Sequence, residues 1–154
     1  MIIRAEGQQR LELLDWLAPR LNTTPRDLVW QYPFEILGAL DGERIIGAVL
    51  FMHHRGYSIE AHWAGEKGWL NRVHLRDIFL FPFQTVGVRR INGLIPKRNR
   101  EARKIAERLG FRLEGTLREA DDDGRDLMIY GMLRRECRWL MGDKKDGQGL
   151  SAQV

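Results

Sequence analysis

The sequence predicts a mixed α/β domain of the α+β kind, with helices on both faces of a central sheet. Three short β-rich runs follow one another between turn residues, which indicates an antiparallel meander. Farther along, two segments of helical periodicity alternate with three more β-rich runs. The length of 154 residues, with 44% hydrophobic and 30% charged residues, suits one globular domain. A meander followed by β-α-β-α-β is typical of such layered folds.

Two helices are predicted before the meander. Apolar residues recur near helical spacing over Gln8–Leu21, so the first helix has one apolar face. Thr24 is placed as an N-cap and Pro25 as the first residue of a short second helix, which runs to about Trp30.

The meander is predicted to consist of three strands, Phe34–Leu40, Arg44–Met52 and Tyr57–Trp63. Asp41 and Gly42 form a two-residue hairpin signal between the first two strands. These strands are expected to pair antiparallel and in chain order.

The second half of the chain is predicted to alternate helices and strands. In chain order the elements are a helix over Gly68–Gln84 that Pro82 kinks or ends, a strand over Val88–Ile95, a helix over Asn99–Leu109, and strands over Phe111–Arg118 and Leu127–Leu133. After Met141 the composition changes to Gly, Lys, Asp, Gln and Ser. We therefore expect one domain over residues 1–141 and a disordered tail over 142–154.

Sequence composition bears on the cellular location of the protein. The longest uninterrupted apolar run, Ala48–Met52, is far shorter than the roughly 20 residues that a membrane helix needs. The N-terminus lacks the apolar core and cleavage site of a signal peptide. A single cysteine, Cys137, forms neither an internal disulfide nor a structural zinc site. These features predict a cytoplasmic protein without a membrane partner.

The net charge of +4 is mild, but its distribution is uneven. Eight basic residues and two acidic ones lie between Arg89 and Arg108. Such a stretch could contact nucleic acid or the phosphates of a cofactor. A solvated helix face is the alternative interpretation.

The range Asn99–Arg118 carries the pattern N-x-x-(small)-x-x-(apolar), then L-G-F-x-x-E-G-x-x-R. This pattern resembles the C-terminal half of the GNAT acetyltransferases, and is most similar to the branch of the ribosomal-protein N-terminal acetyltransferases. Asp126, Tyr130 and Glu136 fall where that branch often places an acid, a tyrosine and an acid. Ala39–Val49 resembles the hairpin of the family's second and third strands.

The resemblance implies a mostly antiparallel central sheet and acetyl-CoA as a cosubstrate. It implies transfer of the acetyl group to an amine by direct attack, without a covalent enzyme intermediate. The partner would be an amine-bearing substrate: a small molecule, a protein N-terminus or an amine linked to a nucleic acid. A homodimer is the other partner that we consider.

The pyrophosphate-binding loop departs from the family pattern Q/R-x-x-G-x-G/A. Aligning His62 with the first position puts Gly65 on the first glycine and Lys67 on the second, whereas Gly65 and Gly68 could instead form a shorter cradle. An ordinary turn explains the two glycines equally well. The resemblance assigns coenzyme binding to this loop and to the helix over Asn99–Leu109. The residues are Trp63, Ala64, Gly65, Lys67, Gly68 and Trp69 in and beside the loop, and Asn99 and Arg103 on the helix.

A catalytic base is predicted on the third strand of the meander. Alternation places Glu60 and His62 on one face, two residues apart, which suits a base and its helper. Either His62 or Glu60 with a raised pKa would then control the pH dependence. The alternative is two polar residues on a half-exposed strand. His53 and His54 are further candidates, and no carboxylate or cysteine spacing supports a metal site.

The family's proton donors are missing from the helix over Asn99–Leu109. Ala102 and Ala106 stand at the positions of the family's serine and tyrosine, so water or the ammonium of the intermediate must protonate the thiolate. A slow enzyme is the main expectation. One alternative is a catalytically degenerate binding module of GNAT shape that uses the stretch from Arg89 to Arg108 on nucleic acid or a protein partner. The other is an acetylating toxin that acts on charged tRNA.

Overall fold

The computed structural model describes residues 1–141, and the predicted tail over 142–154 lies outside the described residues. A seven-stranded sheet has the order β1-β2-β3-β4-β5-β7-β6. The strands are β1 Ile2–Arg4, β2 Phe34–Asp41, β3 Arg44–Arg55, β4 Ser58–Gly65, β5 Arg90–Pro96, β6 Arg112–Leu117 and β7 Leu127–Leu133. All neighbouring strands are antiparallel except β4 and β5. The predicted fold class is confirmed.

Helices cover both faces of this sheet. They are α1 Gln8–Leu17, α2 Pro25–Val29, α3 Arg72–Leu80 and α4 Arg100–Leu109. The leucines of α1 pack with Ile36 and Leu50 on one face. The apolar residues of α3 and α4 pack with Phe51 and Ile91 on the other face. No helix within residues 1–141 is long and apolar enough to span a bilayer.

The first predicted helix is shorter than expected. It ends at Leu17, and Ala18–Leu21 continue as a 3-10 turn that Asn22 closes in the left-handed conformation, with φ 56°. Pro19 explains the change, because proline has no N–H for the α-helical hydrogen bond.

The helix predicted from Gly68 begins later. Gly68 has φ +84°, a left-handed conformation that favours glycine and interrupts a helix. The helix starts after Asn71, whose side chain accepts a hydrogen bond from the His74 N–H at 2.9 Å. Beyond Leu80 the chain widens into a π-helical turn over Phe81–Val86.

Strand β1 was not predicted from the sequence. Its three residues are too few to show alternation, and it forms because Ile2 lies opposite Ala39 at the free edge of β2. Two 3-10 turns after β7, Arg134–Glu136 and Arg138–Leu140, were missed for the same reason of length.

Candidate active site

Strands β4 and β5 pair only at their beginnings and then separate. The parallel ladder joins Ser58 to Arg90, Ile59 to Ile91 and Glu60 to Asn92, and within residues 1–141 it extends no further. From Ala61 onward, the edge of β4 that faces β5 therefore has no strand partner. Backbone N–H and C=O groups on such an edge are free to bind another molecule.

Glu60 and His62 lie on the same face of β4, beside the point of separation. Their cross-strand partners Met52 and Leu50 belong to the core under α1, so both side chains are on the α1 face of the sheet. The His62 Nε2 lies 2.5 Å from the Glu60 Oε1, and the His53 Nδ1 lies 3.2 Å from the Glu60 Oε2. One carboxylate thus holds two imidazoles.

The Glu60 carboxyl is ionised at neutral pH. Burial alone would raise its pKa, but the hydrogen bonds and charges of His62 and His53 outweigh burial and lower the pKa below its usual value. The expectation of a raised Glu60 pKa is therefore wrong. The sequence could not indicate this, because the second imidazole comes from β3.

The ionised carboxylate also determines which ring nitrogens carry hydrogen. A carboxylate only accepts hydrogen bonds, so His62 donates from Nε2 and His53 from Nδ1. The neutral His62 ring then has its lone pair on Nδ1, the nitrogen that can take a proton. The side chain of His62 is 23% exposed, which leaves it open to solvent and substrate.

His53 is held in an unusual backbone conformation. Its φ of 53° lies in the left-handed region, where the register of β3 and β4 shifts between Met52 and Arg55. The ring packs edge-on against Tyr32, with centroids 4.8 Å apart. The irregular strand end therefore aims the imidazole at Glu60 rather than continuing the regular alternation.

On the opposite face of β4, Trp63 fills the space where β4 and β5 separate. Its ring stacks on Phe111 with centroids 5.7 Å apart and reaches to the backbone of Gly93 on β5. The cavity that remains beneath α3 at this point holds only about 20 Å³. The predicted coenzyme residue Trp63 thus closes the gap between the strands.

Trp69 lies flat across the sheet above two glycines. A Cβ at Gly47 or at Gly65 would overlap its indole ring. The carbonyl of Trp69 accepts a hydrogen bond from the His74 Nδ1 at 2.6 Å, which ties the loop to α3. In the structure, packing against the indole therefore accounts for glycine at position 65.

A larger cavity of about 740 Å³ lies between the β4–α3 loop and α4. Its charged and aromatic lining is Glu66, Lys67, Trp69, Glu101, Lys104, Arg108, Arg138 and Trp139. The N–H groups of Lys67 and Gly68 donate to no acceptor among residues 1–141. Amides and cations together suit an anionic ligand.

Arg138 and Trp139 were not among the predicted site residues. The Trp139 Nε1 donates to the Leu109 carbonyl at 2.8 Å, and Arg138 donates to the Arg108 carbonyl, so both cap the C-terminal end of α4. No motif marks them, because a turn after β7 brings them beside a helix that is distant in sequence.

The predicted coenzyme residues on α4 lie elsewhere. Asn99 caps α4, with its Oδ1 accepting the Ala102 N–H at 3.1 Å. Arg103 does not line the large cavity. It donates to the Tyr130 hydroxyl at 3.2 Å and to the Lys97 carbonyl at 3.0 Å. Ala64 follows the Glu60 face of β4 and packs with the core under α1.

The basic stretch does not form one surface. Arg89 stands before β5, and Arg98 pairs with Asp121 and Asp123 in the β6–β7 loop. Lys104 and Arg108 line the large cavity. Strand and helix geometry thus divides the stretch among several locations.

Within residues 1–141, no free hydroxyl on α4 or directly beneath it replaces the missing proton donors. Ala106 is fully buried, and Ala102 packs against the same core. Tyr130, also fully buried, has its hydroxyl beneath α4, but this hydroxyl donates to the Glu107 Oε1 at 3.0 Å. Its proton is therefore already engaged.

The fold is similar to solved acetyltransferases at low sequence identity. A chimera of the spermidine N-acetyltransferase SpeG from Vibrio cholerae and hSSAT has a TM-score of 0.66 at 17% identity, over 92% of this chain and 99% of the other. Mutant forms of the spermidine/spermine N-acetyltransferase SpeG from Vibrio cholerae have a TM-score of 0.64 at 16% identity, over 88% and 95%. A GNAT-family acetyltransferase from Bacillus anthracis has a TM-score of 0.54 at 21% identity, over 66% and 67%. No family model and no curated protein matches the sequence.

The chain therefore has the fold of the GNAT acetyltransferases, as the resemblance of Asn99–Arg118 predicted. Similarity to the ribosomal-protein branch stays a prediction, because these neighbours do not specify a branch.

Proposed function

We propose that the protein is an acetyl-CoA-dependent N-acetyltransferase that transfers the acetyl group directly to an amine. The separation of β4 from β5 immediately after Glu60 carries this proposal. The gap lies between the proton-accepting pair on one face of the sheet and the cationic cavity on the other, and it becomes a passage when the Trp63 indole leaves it. Two substrates can then approach from opposite sides and meet at the gap.

The cationic cavity fits the phosphate end of the coenzyme. Lys67, Lys104, Arg108 and Arg138 supply positive charge around about 740 Å³, and the indole of Trp139 offers a stacking surface for a base. The coenzyme would supply the acetyl group as a thioester. For its arm to reach His62, the indole of Trp63 must leave the gap.

On the α1 face, His62 accepts the proton that the attacking amine loses. Glu60 keeps the ring oriented and stabilises the imidazolium that forms, because its carboxylate remains ionised. The unpaired edge of β4 beyond Glu60 provides backbone N–H groups to polarise a carbonyl. Positioning and polarisation therefore supply most of the rate enhancement.

The thiolate product must be protonated without a side-chain hydroxyl from α4, because Ala102 and Ala106 are both packed against the core. The imidazolium of His62 or water would return the proton. A modest turnover on generic amines follows. The proposed acceptor is an amine on a small molecule, on a protein N-terminus or on a nucleic acid. The cytoplasmic location and the homodimer stay predictions.

The alternative of a binding module on the Arg89–Arg108 stretch has less support. Nucleic acid binding needs cations along one continuous surface. Arg98 and Arg103 are instead engaged within the protein, and Arg89 is separated from Lys104.

Calorimetric titration with acetyl-CoA tests the proposal. Wild type is expected to bind and to gain about 2.7 kcal/mol of stability at 100 times the dissociation constant. Lys104→Gln/Arg108→Gln should weaken binding about tenfold or more, because charge-assisted phosphate contacts are lost. Arg76→Gln/Arg118→Gln removes the same charge from exposed positions and should bind like wild type. No heat and no melting shift in wild type at millimolar coenzyme would exclude the enzyme.

A further inference from the structure

A second cationic cavity, of about 650 Å³, lies where β5 begins and β7 ends. Its lining consists of Gln84, Arg89, Leu133, Arg134, Arg135, Cys137, Leu140 and Met141. It shares no lining residue with the cavity between the β4–α3 loop and α4. The turn Arg138–Leu140 stands between the two, with Trp139 on one side and Leu140 on the other.

Strand pairing brings two of these arginines directly together. Arg90 lies opposite Leu133 in the antiparallel ladder, and the Arg134 N–H donates to the Arg89 carbonyl at 2.8 Å. Arg89 and Arg134 are therefore cross-strand neighbours at the next position of the register. Both side chains line the cavity, so their positive charges add there.

No carboxylate compensates for this arrangement. Within residues 1–141, Arg89, Arg134 and Arg135 form no ion pair. The nearby Glu136 is already engaged, because it accepts the Leu133 N–H at 3.2 Å and pairs with Arg112 at 3.4 Å. The positive charge at this cavity is thus not neutralised by any carboxylate within residues 1–141.

Tyr57 holds one of the three arginines, Arg89, in place. The Arg89 guanidinium lies over the Tyr57 ring, 4.0 Å from its centroid, and the Arg89 N–H donates to the Tyr57 carbonyl at 2.8 Å. The remaining lining is largely apolar, from Leu133, Cys137 and Leu140. An apolar floor with a few convergent polar groups is typical of small-ligand sites of this volume.

We propose that the cavity of Arg89, Arg134 and Arg135 binds a phosphate-bearing ligand of nucleotide size, at a site separate from acetyl transfer. Guanidinium groups bind phosphate oxygens in pairs, so three arginines suit a diphosphate. The apolar floor takes the part of the ligand that carries the phosphates. Bound phosphate neutralises the positive charge of this lining. The site is independent of whether the protein is an acetyltransferase.

The test is a calorimetric titration with ADP at low salt of the full chain carrying Lys104→Gln/Arg108→Gln, which removes charge from the cavity proposed for the coenzyme. This chain is expected to bind ADP, and adding Arg134→Gln/Arg135→Gln should weaken binding at least about tenfold. Adding the charge-matched Arg76→Gln/Arg118→Gln instead should leave ADP binding unchanged. Arg89→Lys keeps the charge but loses the planar fork, and should weaken binding less than the double variant.

Inorganic pyrophosphate, as a second probe, should compete with ADP at this site. Two results would overturn the proposal: no ADP binding to the chain carrying Lys104→Gln/Arg108→Gln, or equal ADP binding after Arg134→Gln/Arg135→Gln is added to it. Tight binding of a single-stranded RNA oligonucleotide with a steep salt slope, and no binding of ADP, would show a nucleic-acid surface instead. Arg135→Gln alone tests the same contact in case the double variant unfolds.

Discussion

Beyond Glu60, the two faces of β4 differ in chemistry although they belong to one strand. On the α1 face, His62 is hydrogen-bonded to a carboxylate and partly open to solvent. On the α3 face, Trp63 closes the gap to β5 and the indole of Trp69 covers Gly65. Side chains of a strand alternate, so one strand can serve a proton-transfer compartment and form the wall of another. We propose that the polar face carries the reaction and that the apolar face controls access to it.

The largest effect is expected from removing either member of the polar pair, Glu60 or His62. Glu60→Gln abolishes the charge that orients His62, and His62→Ala removes the proton acceptor. Each should lower kcat about 10²–10⁴-fold while leaving the Kd of acetyl-CoA nearly unchanged. Steady-state kinetics with any accepted amine, paired with calorimetry, measures the two effects separately.

Ser58→Ala is the matched control, because Ser58 shares the face of Glu60 but bonds only to the Arg55 carbonyl. It should retain wild-type kcat.

The kcat of wild type should rise with pH through one ionisation, and His62→Ala should lose that rise. A profile unchanged in both site variants would assign the base to another residue.

The next largest effect is expected from adding a methyl group to the apolar face of β4. Gly65→Ala places a methyl group against the Trp69 indole and should lower the free energy of unfolding by about 1–3 kcal/mol. Gly93→Ala on β5 is the control, since its Cβ would meet nothing closer than 3.6 Å. Urea denaturation compares them. Unchanged stability with weakened coenzyme binding in Gly65→Ala would show a phosphate cradle rather than a packing role.

A smaller effect is expected from removing the indole that closes the gap between β4 and β5. Trp63→Ala removes the indole that reaches Gly93, so the coenzyme no longer has to displace it. For each 1.4 kcal/mol that displacing the indole costs in wild type, the Kd of the variant for acetyl-CoA should be about tenfold lower. Trp30→Ala, which removes an exposed indole, should leave the Kd unchanged. Weaker coenzyme binding in Trp63→Ala would mean that the indole contacts the ligand instead of blocking it.

The smallest expected effect is the pH dependence of stability. Burial by itself would raise the folded-state pKa of Glu60, but the hydrogen bonds and charges of His62 and His53 lower it below its usual value. Its contribution to stability is complete above the unfolded-state pKa of about 4.3 and is lost as pH falls through the lower folded-state value. Between about pH 5 and about pH 3, wild type should therefore lose more unfolding free energy than Glu60→Gln. Equal slopes would refute the ionised carboxylate.

Local patterns predicted the elements well where they were long and periodic. The meander, α4 and the cap at Thr24 followed from alternation, helical spacing and side-chain chemistry. Strand β1 and the turn at Arg138–Leu140 were missed, because short segments acquire their structure from neighbours. The helix at Gly68 was predicted too early, since hydrophobic spacing does not reveal a left-handed residue.

The candidate site was only partly predictable. That Glu60 and His62 share a face follows from their spacing, but the contact of His53 depends on an irregular end of β3. Arg103 was expected at the coenzyme phosphates and instead holds Tyr130. Charge in the sequence shows that cations are present but not where each guanidinium points.

By itself the sequence determined the fold class, the order of most elements and the pairing of Glu60 with His62 on one strand face. These depend on period, turn chemistry and spacing, which are local properties of the chain. Only the tertiary structure decided that β4 and β5 separate after Glu60, that Trp63 occupies the gap, and that Arg89 meets Arg134. Such features arise from strands and helices that are distant in sequence, and the packing of whole elements sets their contacts.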